Sequence, residues 1–252
     1  MKRELFFRQP ILNAAGSLGF APDPRAEVNW EELGAFVTNP ISLRPRRPAA
    51  FPALLEYPGG FLLHTGLPNP GLAAVMEKYR GRWARAGLPV IVHLMADRPE
   101  ETGRMVRMLE GVENVTAVEL SFAPLLADDI LFMALEMSRG ELPLIMSLSG
   151  EQVLRLGARA LGEGAAAISL SPPRGALEAE PGQGLVVGRL YGPGLFPQSL
   201  EVVQASAKLG LPVIGGGGVW GRKQAQAMLE AGALAVQIDA SLWIPKNKDP
   251  VE

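Results

Sequence analysis

The feature that most constrains this chain is a regular alternation of short apolar runs with longer helical stretches. The runs are apolar throughout rather than at every second position, which is typical of parallel strands covered on both faces. Because parallel strands need long crossover connections, the intervening stretches have the length that such crossovers require. The predicted strands span residues 11–16, 35–38, 90–95, 117–122, 142–148, 165–170, 212–215 and 235–238.

Helical stretches separate most of these runs, and proline or glycine marks most of their boundaries. The predicted helices span residues 71–86, 99–109, 127–139, 150–161, 197–209 and 221–231. This order predicts an α/β fold, a (β/α)8 TIM barrel formed by residues 1–252 as a single domain. A doubly wound open sheet is the alternative, because the pattern does not give the strand order. Residues 241–252 contain Pro245 and make a poor helix, so the eighth helix is expected to be truncated.

The composition restricts the classes of function. A net charge of −2 with 20% charged residues argues against nucleic acid as a partner. No apolar run reaches the roughly 18 residues of a membrane helix, and no signal peptide is visible, so a cytoplasmic location is expected. The absence of cysteine excludes zinc–thiolate sites, iron–sulfur clusters and a thiol nucleophile. The absence of cysteine and the abundant proline also fit a heat-stable protein, although a GC-rich genome would give the same bias.

Three segments are candidates for a functional site. Residues 39–70 and 171–197 are predicted to be long irregular loops, and both follow strands, which places them on the catalytic face of a barrel. The third segment, Gly215–Gly218, is predicted to end the seventh strand and to open a helix. Its backbone N–H groups could hold a phosphate or a smaller anion. The simpler interpretation is a tight turn that only glycine tolerates.

The chain resembles the class 1 dihydroorotate dehydrogenases, which are FMN-dependent (β/α)8 barrels. The resemblance rests on ILNAAGSLGF at 11–20, GAFVTNPISLRPR at 34–46, EYPGGFLLHTGLPNPG at 56–71, AVELSFAP at 117–124, LPLIMSLSG at 142–150, RLYGP at 189–193 and LPVIGGGGVWGRKQAQAMLEAGALAVQIDAS at 211–241. It implies an FMN-linked oxidoreductase of pyrimidine biosynthesis that transfers a hydride from dihydroorotate to FMN with the help of a Cys or Ser base.

The resemblance assigns substrate binding to Asn69 and the cofactor or its phosphate to a further set of positions. These positions are Gly16, Asn39, Gly188, Gly192, Gly217, Gly218 and Ser241.

Several of the family's chemical groups are replaced in this chain. Lysines of the family fall on Asn39 and Ser147, and an asparagine falls on His93. A small serine is replaced by Tyr191, and a glycine near the phosphate by Asp239. No Cys or Ser stands at the position of the catalytic base. We therefore expect dihydroorotate oxidation to be impaired or lost, and FMN to bind weakly or not at all.

Two further hypotheses remain open. The barrel could be non-catalytic and bind a protein partner or a small anion, or it could be an oxidoreductase with a changed substrate. In the second case His93 is the candidate base. The alternative for His93 is a structural hydrogen bond to a neighbouring loop, and Glu119 is interpreted as structural.

A homodimer or larger assembly is predicted, because a truncated eighth helix exposes the outer faces of the first and eighth strands. Residues 1–10 could instead cover this gap.

Overall fold

The barrel is present in the computed structural model of the 252-residue chain, which describes residues 5–179, 182 and 184–243. Eight parallel strands form one sheet in which neighbours in the chain are neighbours in space. They are β1 (Ile11–Asn13), β2 (Phe36–Val37), β5 (Val90–Met95), β6 (Val115–Ser121), β7 (Leu144–Leu148), β8 (Ala167–Leu170), β11 (Val213–Gly215) and β12 (Ala235–Ile238). A parallel bridge between Leu12 and Ala35 joins the two ends of the sheet. The nearly closed barrel confirms the predicted fold and excludes the open sheet.

Six α-helices follow barrel strands and match the predicted helices. They are α1 (Leu72–Ala84), α2 (Pro99–Leu109), α3 (Asp128–Met137), α4 (Gly150–Gly162), α5 (Phe196–Lys208) and α6 (Arg222–Glu230). The start of α4 shows how the sequence sets a boundary, because the Ser149 side chain accepts from the Gln152 backbone and the Gln152 side chain accepts from Ser149 N. The predicted truncation of the eighth helix concerns residues 241–252. The first of these belong to a 3₁₀ helix, Ala240–Trp243, and the residues after Trp243 lie outside the described residues.

The prediction that residues 39–70 and 171–197 are irregular was wrong. They contribute β3 (Ala53–Tyr57), β4 (Gly60–His64), β9 (Arg174–Glu178) and β10 (Leu185–Tyr191) to a second, antiparallel sheet. Its strand order is β3-β4-β10-β9, so a hairpin from each segment pairs with the other. The structure places this sheet after β2 and β8, at the carboxyl ends of the barrel strands.

The barrel interior is built in layers. A cluster of buried apolar side chains takes at least one member from, or directly beside, each barrel strand. Its members are Leu12, Ala35, Val37, Ile91, Ala117, Ile145, Ala167, Ile214 and Ala235. Leu5 and Phe7 pack against this cluster, so this part of the N-terminal segment lies against the barrel interior. Side chains alternate along a strand, so residues two positions further on form the next interior layer.

Candidate functional site

The next interior layer is polar, and its side chains form the inner part of the candidate site. Moving two residues along each strand from the apolar cluster leads to His93 in β5, Glu119 in β6 and Ser147 in β7. The same step leads to Ser169 in β8 and to Gln237 in β12. All five side chains are buried. Polar groups withdrawn from water need partners within the protein, so this layer must be organised by its own hydrogen bonds.

His93 and Glu119 are direct partners in the register of β5 and β6. The Nδ1 atom of His93 lies 2.5 Å from Oε2 of Glu119, with both side chains almost completely buried. An ionised carboxylate can only accept, so His93 Nδ1–H donates this hydrogen bond. Gln237 Nε2 donates to the other carboxylate oxygen of Glu119 at 2.9 Å. His93 is therefore held in one orientation by a charged neighbour.

The pKa of Glu119 reflects two opposing effects. Burial alone would raise this pKa, because the charged form loses its hydration. The electrostatic attraction of His93 and the hydrogen bonds from His93 and Gln237 act in the opposite direction and prevail. The pKa of Glu119 consequently lies below its usual value, and the side chain is a carboxylate at neutral pH.

This arrangement corrects two interpretations made from the sequence. No carboxylate was assigned to His93, and a neighbouring loop was expected to hold it. Its Nδ1 instead binds a carboxylate on the adjacent strand. Both residues stand two positions after a member of the interior apolar cluster, Ile91 and Ala117. That equal offset is a signal that could have identified the pair.

A cavity of about 30 Å³ lies beside the His93–Glu119 pair, called the dyad below, where the carboxyl ends of the strands meet the antiparallel sheet. It is lined by Ala14, Ala15, His93, Glu119, Ser147, Leu170, Ser171, Pro172, Arg189, Gly216, Gly217, Gln237 and Asp239. Within the described part of the chain, the buried Nε2 atom of His93 has no hydrogen-bond partner. A cavity of this size holds about two water-sized groups. The Nε2 atom of His93 is thus available to whatever enters the cavity.

Asp239 also lines this cavity and is 4% exposed. Burial raises the pKa of Asp239 to about 6, although its Oδ1 atom accepts a hydrogen bond from Ala240 N at 2.5 Å. The carboxyl group therefore titrates near the physiological range and is mostly ionised at pH 7. Its negative charge faces the glycine turn for which the sequence predicts an anion site.

The glycine segment only partly matches its prediction. Gly215 ends β11 as predicted, but α6 begins at Arg222, so the glycines do not open the helix. Gly217 and Gly218 have φ values of 90° and 73°, which favour glycine and turn the chain away from the helical path. A Cβ atom on Gly218 would lie 2.3 Å from Phe196 N, so this residue packs against the start of α5. Gly217 borders the cavity.

An aromatic cluster joins the antiparallel sheet to Trp243. Tyr191, which is 6% exposed, stacks on Phe61 with ring centroids 5.6 Å apart and packs against Trp243 at 5.8 Å. Burial raises the pKa of the Tyr191 hydroxyl. Tyr191, which the resemblance aligns with a small serine, is thus a packed, buried ring rather than a side chain turned away to solvent.

The other positions assigned by resemblance mainly support the backbone. Asn69 Oδ1 accepts from Ser42 N, Ser42 Oγ and Gly71 N, and its Nδ2 donates to Leu67 O. Asn39 Oδ1 accepts from Gly19 N, which joins the loops that follow β1 and β2. These side chains brace loops. A role for Asn69 in substrate binding stays a prediction.

The assigned glycines and Ser241 are also explained by packing. A Cβ atom on Gly188 would lie 2.5 Å from Leu62, and one on Gly192 would lie 2.4 Å from Gly60 Cα, so both permit close contacts within the antiparallel sheet. Gly16 has φ 94° at the turn after β1. Ser241 Oγ donates to Val219 O at 3.3 Å. Their roles toward a cofactor stay predictions.

No cluster of three or more metal-ligating side chains occurs among the described residues. Over the same residues, no helix has both the length and the apolar character needed to cross a bilayer.

Comparison with known proteins identifies the family. A family model described as Dihydroorotate dehydrogenase matches residues 3–124. The catalytic subunit of dihydroorotate dehydrogenase B (NAD(+)) from Desulforudis audaxviator is 30% identical over 256 residues, which cover 93% of this chain and 83% of the relative. The corresponding subunit from Maridesulfovibrio salexigens is 30% identical over 255 residues, covering 93% and 84%.

A solved structure supports the fold. The dihydroorotate dehydrogenase of Eimeria tenella, crystallised in complex with ferulenol, superposes with a TM-score of 0.69 at 17% identity, covering 95% of this chain and 78% of that one. The fold, the order of the motifs and the identity to the curated relatives agree, and the chain therefore belongs to the dihydroorotate dehydrogenase family.

Proposed function

We propose that this chain is a member of the dihydroorotate dehydrogenase family that has lost FMN-dependent oxidation of dihydroorotate and uses the carboxyl end of its barrel to bind a small polar ligand. The observation that carries the proposal is the cavity of about 30 Å³ at that end. Pockets for cofactor-sized molecules measure roughly 300–1,000 Å³. The space beside the dyad is about a tenth of the lower limit, so the residues present do not fit a flavin ring.

Two further features of the site also argue against the binding of FMN. The Tyr191 ring is buried in contact with Phe61 and Trp243, and displacing it would expose apolar surface. Asp239 places a buried carboxylate beside the glycine turn, where a doubly charged phosphate would be repelled. The positions that correspond to lysines hold Asn39 and Ser147, which supply no positive charge.

A steady-state assay with dihydroorotate, excess FMN and an artificial electron acceptor tests this function. Loss of a general base alone lowers rates by about 10²–10⁴-fold, so we expect no turnover above background. Turnover of about 1–10³ s⁻¹, the ordinary enzyme range, would disprove the proposal. The Asp239→Gly variant serves as a partner measurement, because removing the carboxylate should strengthen any residual FMN binding.

One observation favours the second candidate, an enzyme with a changed substrate. The buried His93–Glu119 pair has the arrangement of a base oriented by a carboxylate. Turnover of a different substrate that depends on His93 would support this candidate, provided that FMN binding stays absent.

A further inference from the structure

One ring nitrogen of His93, Nε2, takes no part in the hydrogen bonds of the dyad. Nδ1 donates to Glu119, whereas Nε2 is buried and has no partner among the described residues. In the neutral ring Nε2 carries a lone pair and is a hydrogen-bond acceptor. A buried acceptor without a partner is destabilising. This atom therefore requires a donor from outside the chain.

The cavity beside Nε2 limits the size of that donor. At about 30 Å³ it admits two water-sized groups, which is enough for a hydroxyl group and the carbon that bears it. His93 is 3% exposed and lies at the inner end, whereas Arg189 is half-buried and lies nearer solvent. A ligand would enter with its hydroxyl first and leave its other end beside Arg189.

The outer end of the cavity carries positive charge. Arg189 in β10 stands directly opposite Arg174 in β9, and no acidic side chain of the described residues forms an ion pair with either. Burial lowers the pKa of Arg174, and the charge of Arg189 adds to this effect. Like charges directly across a strand pair are unfavourable, and an anion between them or beside them relieves the repulsion.

We propose that this cavity is a binding site for a small hydroxycarboxylate, whose hydroxyl group donates to His93 Nε2 and whose carboxylate pairs with Arg189. This inference rests on the proposed function, since it takes the space beside the dyad to be free of flavin. The Asp239 carboxyl group borders the same cavity and disfavours a second negative charge, which selects monoanions of the size of glycolate. Glu119 is a positioning residue, because it orients His93 without reaching the cavity through a free atom.

Nitrogen-15 NMR of the two histidines tests the site directly in the intact protein. The chain contains only His64 and His93, so a His64→Gln variant assigns both rings. We expect His93 to appear as the Nδ1–H tautomer, and titration with glycolate to move its Nε2 resonance in a saturable manner. A ligand of five non-hydrogen atoms is expected to bind with a Kd of about 1 mM. Acetate lacks the hydroxyl group and ethylene glycol lacks the charge, so neither should reproduce the shift.

Two arginine variants provide a matched pair. Arg189→Gln should weaken glycolate binding by about tenfold or more, the effect of losing one charge-assisted hydrogen bond. Arg174→Gln removes the opposite arginine, which does not line the cavity, and should change binding by less than about threefold. Far-ultraviolet circular dichroism of both variants establishes that they are folded.

The outcomes separate this inference from the proposed function. An unmoved His93 resonance at saturating glycolate, or equal binding to the Arg189→Gln variant, would disprove the site. An FMN titration of the same labelled protein addresses the proposed function. If neither FMN nor glycolate binds, the ligand assignment fails and the loss of flavin binding stands. If FMN binds, the proposed function fails.

Discussion

Single side chains set the electrostatics of this site. Asp239 lines the same cavity as Gly217, and burial raises its pKa to about 6. Glu119 and His93 satisfy each other at the centre of the barrel. Among the described residues the Asp239 carboxylate has no cationic partner, whereas the Glu119 carboxylate is paired with His93. Replacing Asp239 should therefore stabilise the protein, and replacing Glu119 should destabilise it.

Replacing Asp239 by Asn should stabilise the protein at high pH. The folded-state pKa of about 6 exceeds the ordinary value of 3.8, so the folded protein binds the proton more tightly than the unfolded chain. The contribution of Asp239 to stability is therefore most favourable below pH 4, falls as the pH rises to 6, and is about 3 kcal/mol less favourable above that range, since each pKa unit is worth about 1.4 kcal/mol. Asn removes this charge and keeps an oxygen that can accept from Ala240 N.

Urea unfolding at pH 4, 6 and 8 measures this effect. The Asp239→Asn variant should gain up to about 3 kcal/mol over wild type at pH 8 and nothing at pH 4. Asp129→Asn is the control, because the Asp129 side chain is 89% exposed and should have little effect at any pH. Equal stability of wild type and Asp239→Asn at pH 8 would contradict the burial argument.

Replacing Glu119 by Ala should destabilise the protein strongly. The substitution leaves His93 Nδ1–H and Gln237 Nε2 without their acceptor in a buried layer, at a cost of about 3–5 kcal/mol. Glu119→Gln keeps an amide oxygen that can accept from His93, so its cost should be clearly smaller. The free energies of unfolding in urea compare the two variants. The pairing would be disproved if the two substitutions had the same effect, or if Ala cost less than about 1 kcal/mol.

The elements divide into those that local sequence determines and those that long-range pairing determines. The barrel strands and the helices were predictable, because uninterrupted apolar runs and Gly or Pro boundaries are local signals. The antiparallel sheet was missed because β4 and β10 pair across more than a hundred residues. These strands also contain Gly60 and Gly188, which weaken a strand pattern. The His93–Glu119 pair was missed for a related reason, since strand register is not visible in either strand alone.

The antiparallel sheet should depend on Gly192. This residue has φ 129°, and a Cβ atom would lie 2.4 Å from Gly60 Cα and 2.5 Å from Gly59 O. Gly192→Ala adds a backbone clash to the strain of positive φ. Gly19→Ala is the matched control, because Gly19 also has positive φ but a Cβ atom there would have no neighbour within 4 Å.

Thermal or urea unfolding of both glycine variants tests this packing. Gly192→Ala should be less stable than Gly19→Ala by about 1–3 kcal/mol, the usual cost of overpacking. If the two variants lose the same stability, the close contact between the β3–β4 hairpin and the end of β10 is not a significant constraint.

At the scale of the whole molecule, the outer side of the barrel at β1 and β12 carries an open cleft. A cleft of about 750 Å³ runs beside these strands and is lined in part by Val28, Leu33, Trp220 and Leu229. Leu5 and Phe7 pack against the barrel interior, so these residues do not cover the cleft. Cytoplasmic location and heat stability remain predictions from composition.

The uncovered cleft leads to the prediction of a homodimer or larger assembly. Apolar surface of this kind is usually buried against a second subunit. Light scattering at micromolar concentration should give a mass of at least twice 26.9 kDa. Leu229→Arg should shift the population toward the monomer by placing a charge in the cleft. A wild-type particle of 26.9 kDa would show that the cleft is not a subunit interface.

FMN binding decides whether this barrel has kept the family's fold and lost its flavin site. Equilibrium dialysis against FMN, together with the visible absorbance of the protein as purified, measures both retained and added flavin. The small cavity, the buried Tyr191 ring and the Asp239 carboxylate predict a colourless protein and no stoichiometric binding at micromolar FMN. A yellow protein, or one equivalent of FMN bound at micromolar concentration, would contradict the account.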